Sequence, residues 1–113
     1  MTEVSYNVEL TQGAEDDLEE IHDYLAGLRG ADEADALLDQ FLATIETLEQ
    51  FPERGGVPKE LAELGLREFR QVLLLHFRVI YRVFGDRVVI LMIADGRRDM
   101  QTLLERRLLG RPH

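Results

Sequence analysis

Residues 77–93 read FRVIYRVFGDRVVILMI, and the alternation within them decides the fold. In an extended chain successive side chains point to opposite faces. Phe77, Val79, Tyr81 and Val83 therefore share one face, while Arg78, Ile80, Arg82 and Phe84 share the other. Gly85-Asp86 is a tight hairpin signal. The segment that follows, Val88 to Ile93, is apolar at every position, which predicts a central strand covered on both sides.

Upstream of this hairpin, residues 66–74 read as a further strand. Strands at 66–74, 77–84 and 87–94 then form an antiparallel meander. The loop before them, PERGGVPKELAELG from Pro52 to Gly65, carries Gly55, Gly56 and Pro58, with one turn of helix expected at Glu60–Leu64.

The first half has a different periodicity. Val4, Tyr6, Val8 and Leu10 alternate with polar residues and predict an N-terminal strand. Thr11 is placed to cap a helix with Glu15, Asp16 and Asp17 in its first turn, where negative charge suits the dipole. Ala14, Leu18, Ile21, Leu25 and Leu28 give that helix one apolar stripe, and Gly30 ends it. A second helix starts near Asp32, carries Leu37, Leu38, Phe41, Leu42, Ile45 and Leu48, and stops at Phe51-Pro52. The short connection makes the two an antiparallel hairpin. Asp99 caps a last helix containing Leu103, Leu104, Leu108 and Leu109, and Gly110–His113 is expected to fray. The predicted order is β-α-α-β-β-β-α, an α+β fold with the helical hairpin on one sheet face. With no repeat, linker or low-complexity stretch, one domain spanning residues 1–113 is expected.

Composition narrows the chemistry. There is no cysteine, which removes disulfides and thiol nucleophiles. The three histidines, His22, His76 and His113, are scattered, so no metal site or other cofactor is expected. The N-terminal residues lack the basic and apolar regions of a signal peptide, and no apolar run approaches a membrane span, so a soluble, cytoplasmic protein without membrane contact is expected.

The net charge of −9 disfavours direct binding of DNA by the chain alone. It is unevenly spread. Residues 1–66 hold three basic and 17 acidic groups, whereas residues 67–113 hold ten arginines against five acids. An acidic half is joined to a basic half, and the basic half is a candidate face for an anionic partner.

Three stretches then carry a resemblance: LTQGAEDDLEEIHDYL from Leu10, FPERGGVPKELAELGLREF from Phe51, and FRVIYRVFGDRVVILMIADGRRD from Phe77. In this order they resemble the RelE/ParE superfamily of toxins from type II toxin–antitoxin systems, often called plasmid stabilisation proteins. The resemblance spans about Tyr6 to Leu109. It implies a cognate antitoxin as first partner. It also implies one of two targets: messenger RNA cut in the ribosomal A site, as in the RelE branch, or DNA gyrase, poisoned without known catalysis in the ParE branch. A family member that binds an antitoxin but harms nothing is a third reading.

Metal-free RNA cleavage needs a base, cations for the phosphorane and an acid for the leaving group. Carried over from the RelE-like pattern, Arg78 and Arg98 match arginines, and Arg70 stands near a lysine position. The second lysine position falls at Gln71 or Val72, and the place of the assisting tyrosine falls at about Leu104. Lys59, the single lysine, lies in the loop, leaving His76 as the one titratable candidate. Arginine stabilises charge but is a poor proton shuttle. The supporting cations are present and the acid–base pair is not, which favours the ParE side. The expected recognition set for target or antitoxin is then Arg67, Arg70, Arg78, Arg82, Arg97 and Arg98, with Arg106 and Arg107 complementing the last helix's dipole. Arg78 and Arg82 share a face by alternation, with Arg70 joining from the next strand, and Arg78 needs an anionic partner inside its apolar strand. Leu38, Phe41, Leu42, Leu104 and Leu108 are the apolar candidates for a partner contact.

Overall fold

The structure is a computed structural model that describes residues 5–110. Its elements are β1 (Asn7–Leu10), α1 (Gln12–Arg29), α2 (Ala31–Glu46), a 3-10 turn (Thr47–Glu49), α3 (Lys59–Ala62), β2 (Phe69–Leu74), β3 (Phe77–Phe84), β4 (Arg87–Asp95) and α4 (Met100–Leu109). The sheet order is β1-β4-β3-β2. The meander β2-β3-β4 is antiparallel, and β1 joins β4 in parallel. That placement puts β4 in the interior of the sheet, as its unbroken apolar run predicts.

The caps sit where the sequence signals put them. The Thr11 hydroxyl accepts from the Ala14 amide at 3.2 Å, and the Asp99 carboxylate accepts from the Thr102 amide at 3.2 Å. Gly110 closes α4 in the left-handed conformation. The frayed tail expected after it, and Val4 in the first strand, lie outside the described residues.

Several boundaries move. Strand β2 begins at Phe69 rather than residue 66, because the Leu66 amide turns back to donate to the Leu61 carbonyl and closes α3. The turn of helix in the loop falls on Lys59–Ala62, one residue earlier than expected. Helix α2 gives way to the 3-10 turn after Glu46, before Pro52 is reached.

Two apolar layers flank the sheet. On one face α1 and α2 bury Ala14, Leu18, Leu37, Phe41 and Ile45 against Val72, Phe77, Val79, Tyr81, Val88 and Ile90. Phe41 and Phe77 meet edge to face with centroids 5.2 Å apart. On the other face α3 and α4 bring Leu61, Met100 and Leu104 onto Phe69, Ile80 and Met92. A β-bulge interrupts the alternation of β4: Ile80 pairs with Met92 and Tyr81 with Ile90, leaving Leu91 unmatched. Ile90 and Ile93 consequently both face the helical hairpin, three positions apart.

The stripe assigned to α1 holds through Leu25, but Leu28 is 63% exposed. The last turn of the helix projects past the sheet, and the space beneath it becomes a cleft.

Candidate functional site: an arginine face, a closed catalytic position and an apolar cleft

The β-sheet register separates the expected arginine set. Leu73 pairs with Arg78 and Phe69 with Arg82, so these four share the face covered by α3 and α4. Arg70 pairs with Tyr81, whose ring belongs to the hairpin-side core. Arg70 therefore does not join Arg78 and Arg82: it lies on the opposite face and donates to the carbonyls of Glu53 (3.2 Å) and Gly55 (2.8 Å). Tyr81 fixes the same loop from beneath, donating to the Pro52 carbonyl at 2.7 Å and accepting from the Gly55 amide at 3.0 Å. Burial raises the Tyr81 phenol above its ordinary pKa.

The anionic partner that Arg78 needs is internal. Its guanidinium makes two 2.8 Å bonds to the Glu60 carboxylate and a 2.6 Å bond to the Gln71 side chain. Both charged side chains are nearly enclosed, at 11% and 13% exposure. Arg78 holds the Glu60 carboxyl below the usual range. The guanidinium's stem passes so close to Gly96 that a Cβ there would lie 2.8 Å from Arg78 Cδ. With each of its three nitrogens bonded and its charge neutralised, Arg78 is not presented to a phosphate.

The positions where the RelE-like pattern has its other catalytic groups, and the remaining candidates, lie in different surroundings. Leu104 is fully buried in the core, and Leu108 packs partly against the same cluster. Gln71 binds Arg78. His76 lies in the β2–β3 turn, 3.7 Å from the Asp95 carboxylate. Asp95 is in turn bound by Arg97 at 2.7 Å, and that guanidinium holds the carboxyl well below the usual range.

Charge pairing dissolves much of the basic half. Arg78, Arg97 and Arg107 each bind a carboxylate, as does Arg87, which pairs with Glu9. Among the described residues Arg67, Arg82, Arg98 and Arg106 make no side-chain hydrogen bond or ion pair, and Arg70 meets only backbone carbonyls, so these five carry the uncompensated charge of the expected set. Of the apolar candidates, Phe41 is core at 1% exposure, Leu38 is partly buried against the hairpin core, and Leu42 is 46% exposed.

Where α1 overshoots the sheet lies a cleft of about 1070 Å³. Tyr24 and Leu28 of α1, Leu75 and Phe77 of the β2–β3 hairpin and Ile93 of β4 are among its apolar lining residues, and Asp95 and Arg98 are among its charged ones. Tyr24, Leu28 and Leu75 are 72%, 63% and 68% exposed. Leu75 also has a φ of 54°, the left-handed region that a leucine rarely adopts.

Residues 8–100 match the family model described as the ParE toxin of the type II toxin-antitoxin system parDE. The chain belongs to the ParE toxin family. Among solved structures it is similar to a chain of the chromosomal ParDE toxin–antitoxin system from P. aeruginosa, with a TM-score of 0.68 at 24% identity, covering 80% of this chain and 96% of that one. It is also similar to a chain of the RelBE2 toxin–antitoxin complex from Mycobacterium tuberculosis, with a TM-score of 0.56 at 21% identity, covering 81% and 99%. No curated protein matches the sequence.

In this ParE-family chain two features of the site escape a reading by periodicity, and a third carries a periodic signal. Glu60 sits in a glycine- and proline-rich loop and carries no positional signal. The cleft depends on where α1 ends relative to the sheet. Asp17 is the third, and it had a signal: it stands three residues after Ala14 and four before Ile21, on the buried side of the helix. Its carboxylate accepts from the Ile93 amide at 2.9 Å and from Arg107 at 2.8 and 3.1 Å, while Arg107 also donates to the Leu91 carbonyl at 3.2 Å. Asp17 raises the Arg107 pKa. Together the two side chains close the edge of β4 beyond the reach of β1. Among the described residues no cluster of histidine, aspartate or glutamate is arranged to hold a metal, and no helix is long and apolar enough to cross a membrane.

Proposed function

We propose that this chain is a toxin that arrests growth by binding DNA gyrase, without catalysing a reaction, and that a cognate antitoxin neutralises it. The observation that carries the non-enzymatic half is the state of Arg78. Its guanidinium is occupied by Glu60 and Gln71, and the position that would supply a proton is the buried Leu104. Transition-state charge stabilisation requires donors free to meet the developing charge, and here the central one is already bound. Recognition falls instead to the arginines whose guanidinium groups are unbonded among the described residues, Arg67, Arg82, Arg98 and Arg106.

The cleft supports the antitoxin. Exposed Tyr24, Leu28 and Leu75 around a concave surface form the kind of apolar patch that a partner covers. The two-residue turn Leu75-His76 between the paired Leu74 and Phe77 sets the left-handed φ of Leu75, and its side chain is left exposed at the cleft for a partner to cover. A segment that orders on binding, with apolar side chains for this cleft, fits the geometry.

His76 beside Asp95, with Arg98 free nearby in sequence, keeps the ribosome-dependent ribonuclease as the second reading. One pulse of expression without antitoxin separates them. Growth arrest with inhibited supercoiling by purified gyrase and no new messenger RNA 5′ ends is the expected result. New cuts within translated codons, lost on His76→Ala, would establish the ribonuclease. Normal growth would leave an antitoxin-binding protein without toxicity.

A further inference from the structure

Strand pairing lines up one transverse row across all four strands: Glu9 of β1, Val89 of β4, Arg82 of β3 and Phe69 of β2. The next row holds Arg87 and Phe84. In this setting the Arg82 guanidinium carbon lies 4.4 Å from the centroid of Phe84 and 5.7 Å from that of Phe69. Two ring contacts fix a guanidinium through its π-face and leave its in-plane N–H groups available. Among the described residues those groups meet no acceptor. Arg78, Arg87, Arg97 and Arg107 are by contrast each seated on a carboxylate.

We propose that Arg82, held between Phe69 and Phe84, is a docking point for a carboxylate of a partner polypeptide, an aspartate or glutamate with an apolar neighbour that covers Phe84. Three observations select this ligand. A guanidinium with free in-plane donors matches a carboxylate bidentately. The surroundings are apolar, with Val89 buried beside it and Phe84 41% exposed, so a side chain next to the carboxylate gains contact area. Glu9, two strands away in the same row and so about 10 Å distant, pairs with Arg87, so Arg82 is the one unpaired cation of that row. A phosphate ribbon laid across the row would find no second free cation there, whereas a single acidic side chain needs only Arg82. The site rests on the reading that this chain docks a protein partner, and it lies on the sheet face away from the apolar cleft.

The test is arginine side-chain NMR on the full chain, titrated separately with the peptides Ac-Glu-Leu-NH2 and Ac-Gln-Leu-NH2 and with inorganic phosphate. The Glu peptide is expected to move the Arg82 Nε–H resonance and the Phe84 ring signals while leaving Arg78 and Arg107 in place. The Gln peptide is expected to bind about tenfold more weakly, and Arg82→Lys, which keeps the charge but loses the fork, to weaken the Glu peptide by a similar factor. No response at Arg82, or an equal response to the Gln peptide, would mean a stacking role only and overturn the proposal. A phosphate response well above that of the Glu peptide would replace a protein partner by a phosphoryl ligand. The titration needs no antitoxin. Tight antitoxin binding with a silent Arg82 would sink this site alone, and a responsive Arg82 in a chain that binds no antitoxin would sink the antitoxin reading alone.

Discussion

At Leu75 a single backbone angle ties stability to partner binding. A leucine at φ 54° is strained by roughly 1–2 kcal/mol relative to a residue that tolerates the left-handed region. Leu75→Asn is therefore expected to leave chemical denaturation unchanged or raise the stability slightly, and to weaken antitoxin affinity by about tenfold or more in calorimetry. Unchanged affinity would remove Leu75 from the interface. Glu60 behaves in the opposite way. Glu60→Gln keeps the shape but leaves the Arg78 charge uncompensated, and a loss of about 1–3 kcal/mol in urea denaturation is expected. Because Arg78 holds the Glu60 carboxyl below its ordinary value of 4.5, the pair's contribution is whole above that pH. It is lost as pH falls through the lower folded value. The difference between wild type and Glu60→Gln should therefore shrink in acid.

Among the elements, the helical hairpin and the edge of β4 each carry a polar contact added to their apolar packing. His22 on α1 lies 2.7 Å from Asp35 on α2 and 3.7 Å from Asp23. The bond to Asp35 raises the imidazole above its ordinary 6.5. The sign follows from linkage: the bridging contribution is complete below that value and is lost as pH rises through the higher folded one. Thermal melting should therefore show wild type losing more stability than His22→Gln between mildly acidic and alkaline buffer, and parallel curves would refute the link. At the sheet edge, Asp17→Ala leaves the Ile93 amide without its acceptor and Arg107 without its carboxylate. A loss of about 2–4 kcal/mol is expected, with faster hydrogen exchange at Ile93. If only the exchange changes, the clamp guards the edge without contributing to global stability.

For the whole molecule, the acidic and basic halves meet across the fold. Glu9, Asp17 and Glu60 come from the first half, and each neutralises an arginine from the second. The overall charge asymmetry thus supplies internal ion pairs before it supplies a surface. The same enclosure underlies the proposed absence of catalysis. Leu104→Tyr, which places a phenol where the ribonuclease pattern has one, puts a hydroxyl into a fully buried site. It is expected to cost about 1–3 kcal/mol and to create no RNA cutting, because Arg78 remains bound to Glu60. RNA cleavage by that variant on translating ribosomes would show that the missing proton donor alone had silenced a ribonuclease.

Periodicity and capping were enough to read the element order, the two helices of the hairpin, the interior place of β4 and the faces of Arg78 and Arg82. Each of these is set by neighbours along the chain or by the two-residue period of a strand. The face of Arg70, the bulge at Leu91, the Glu60–Arg78 and Asp17–Arg107 pairs and the cleft at the end of α1 were not legible. They depend on register between strands and on which distant side chains meet, and a one-residue change in register moves a side chain to the other face. The sequence by itself determined the α+β architecture and the supply of arginines. Only the tertiary structure decided which of them are used up inside the fold, because a buried cation must find its counter-charge wherever packing brings one within reach.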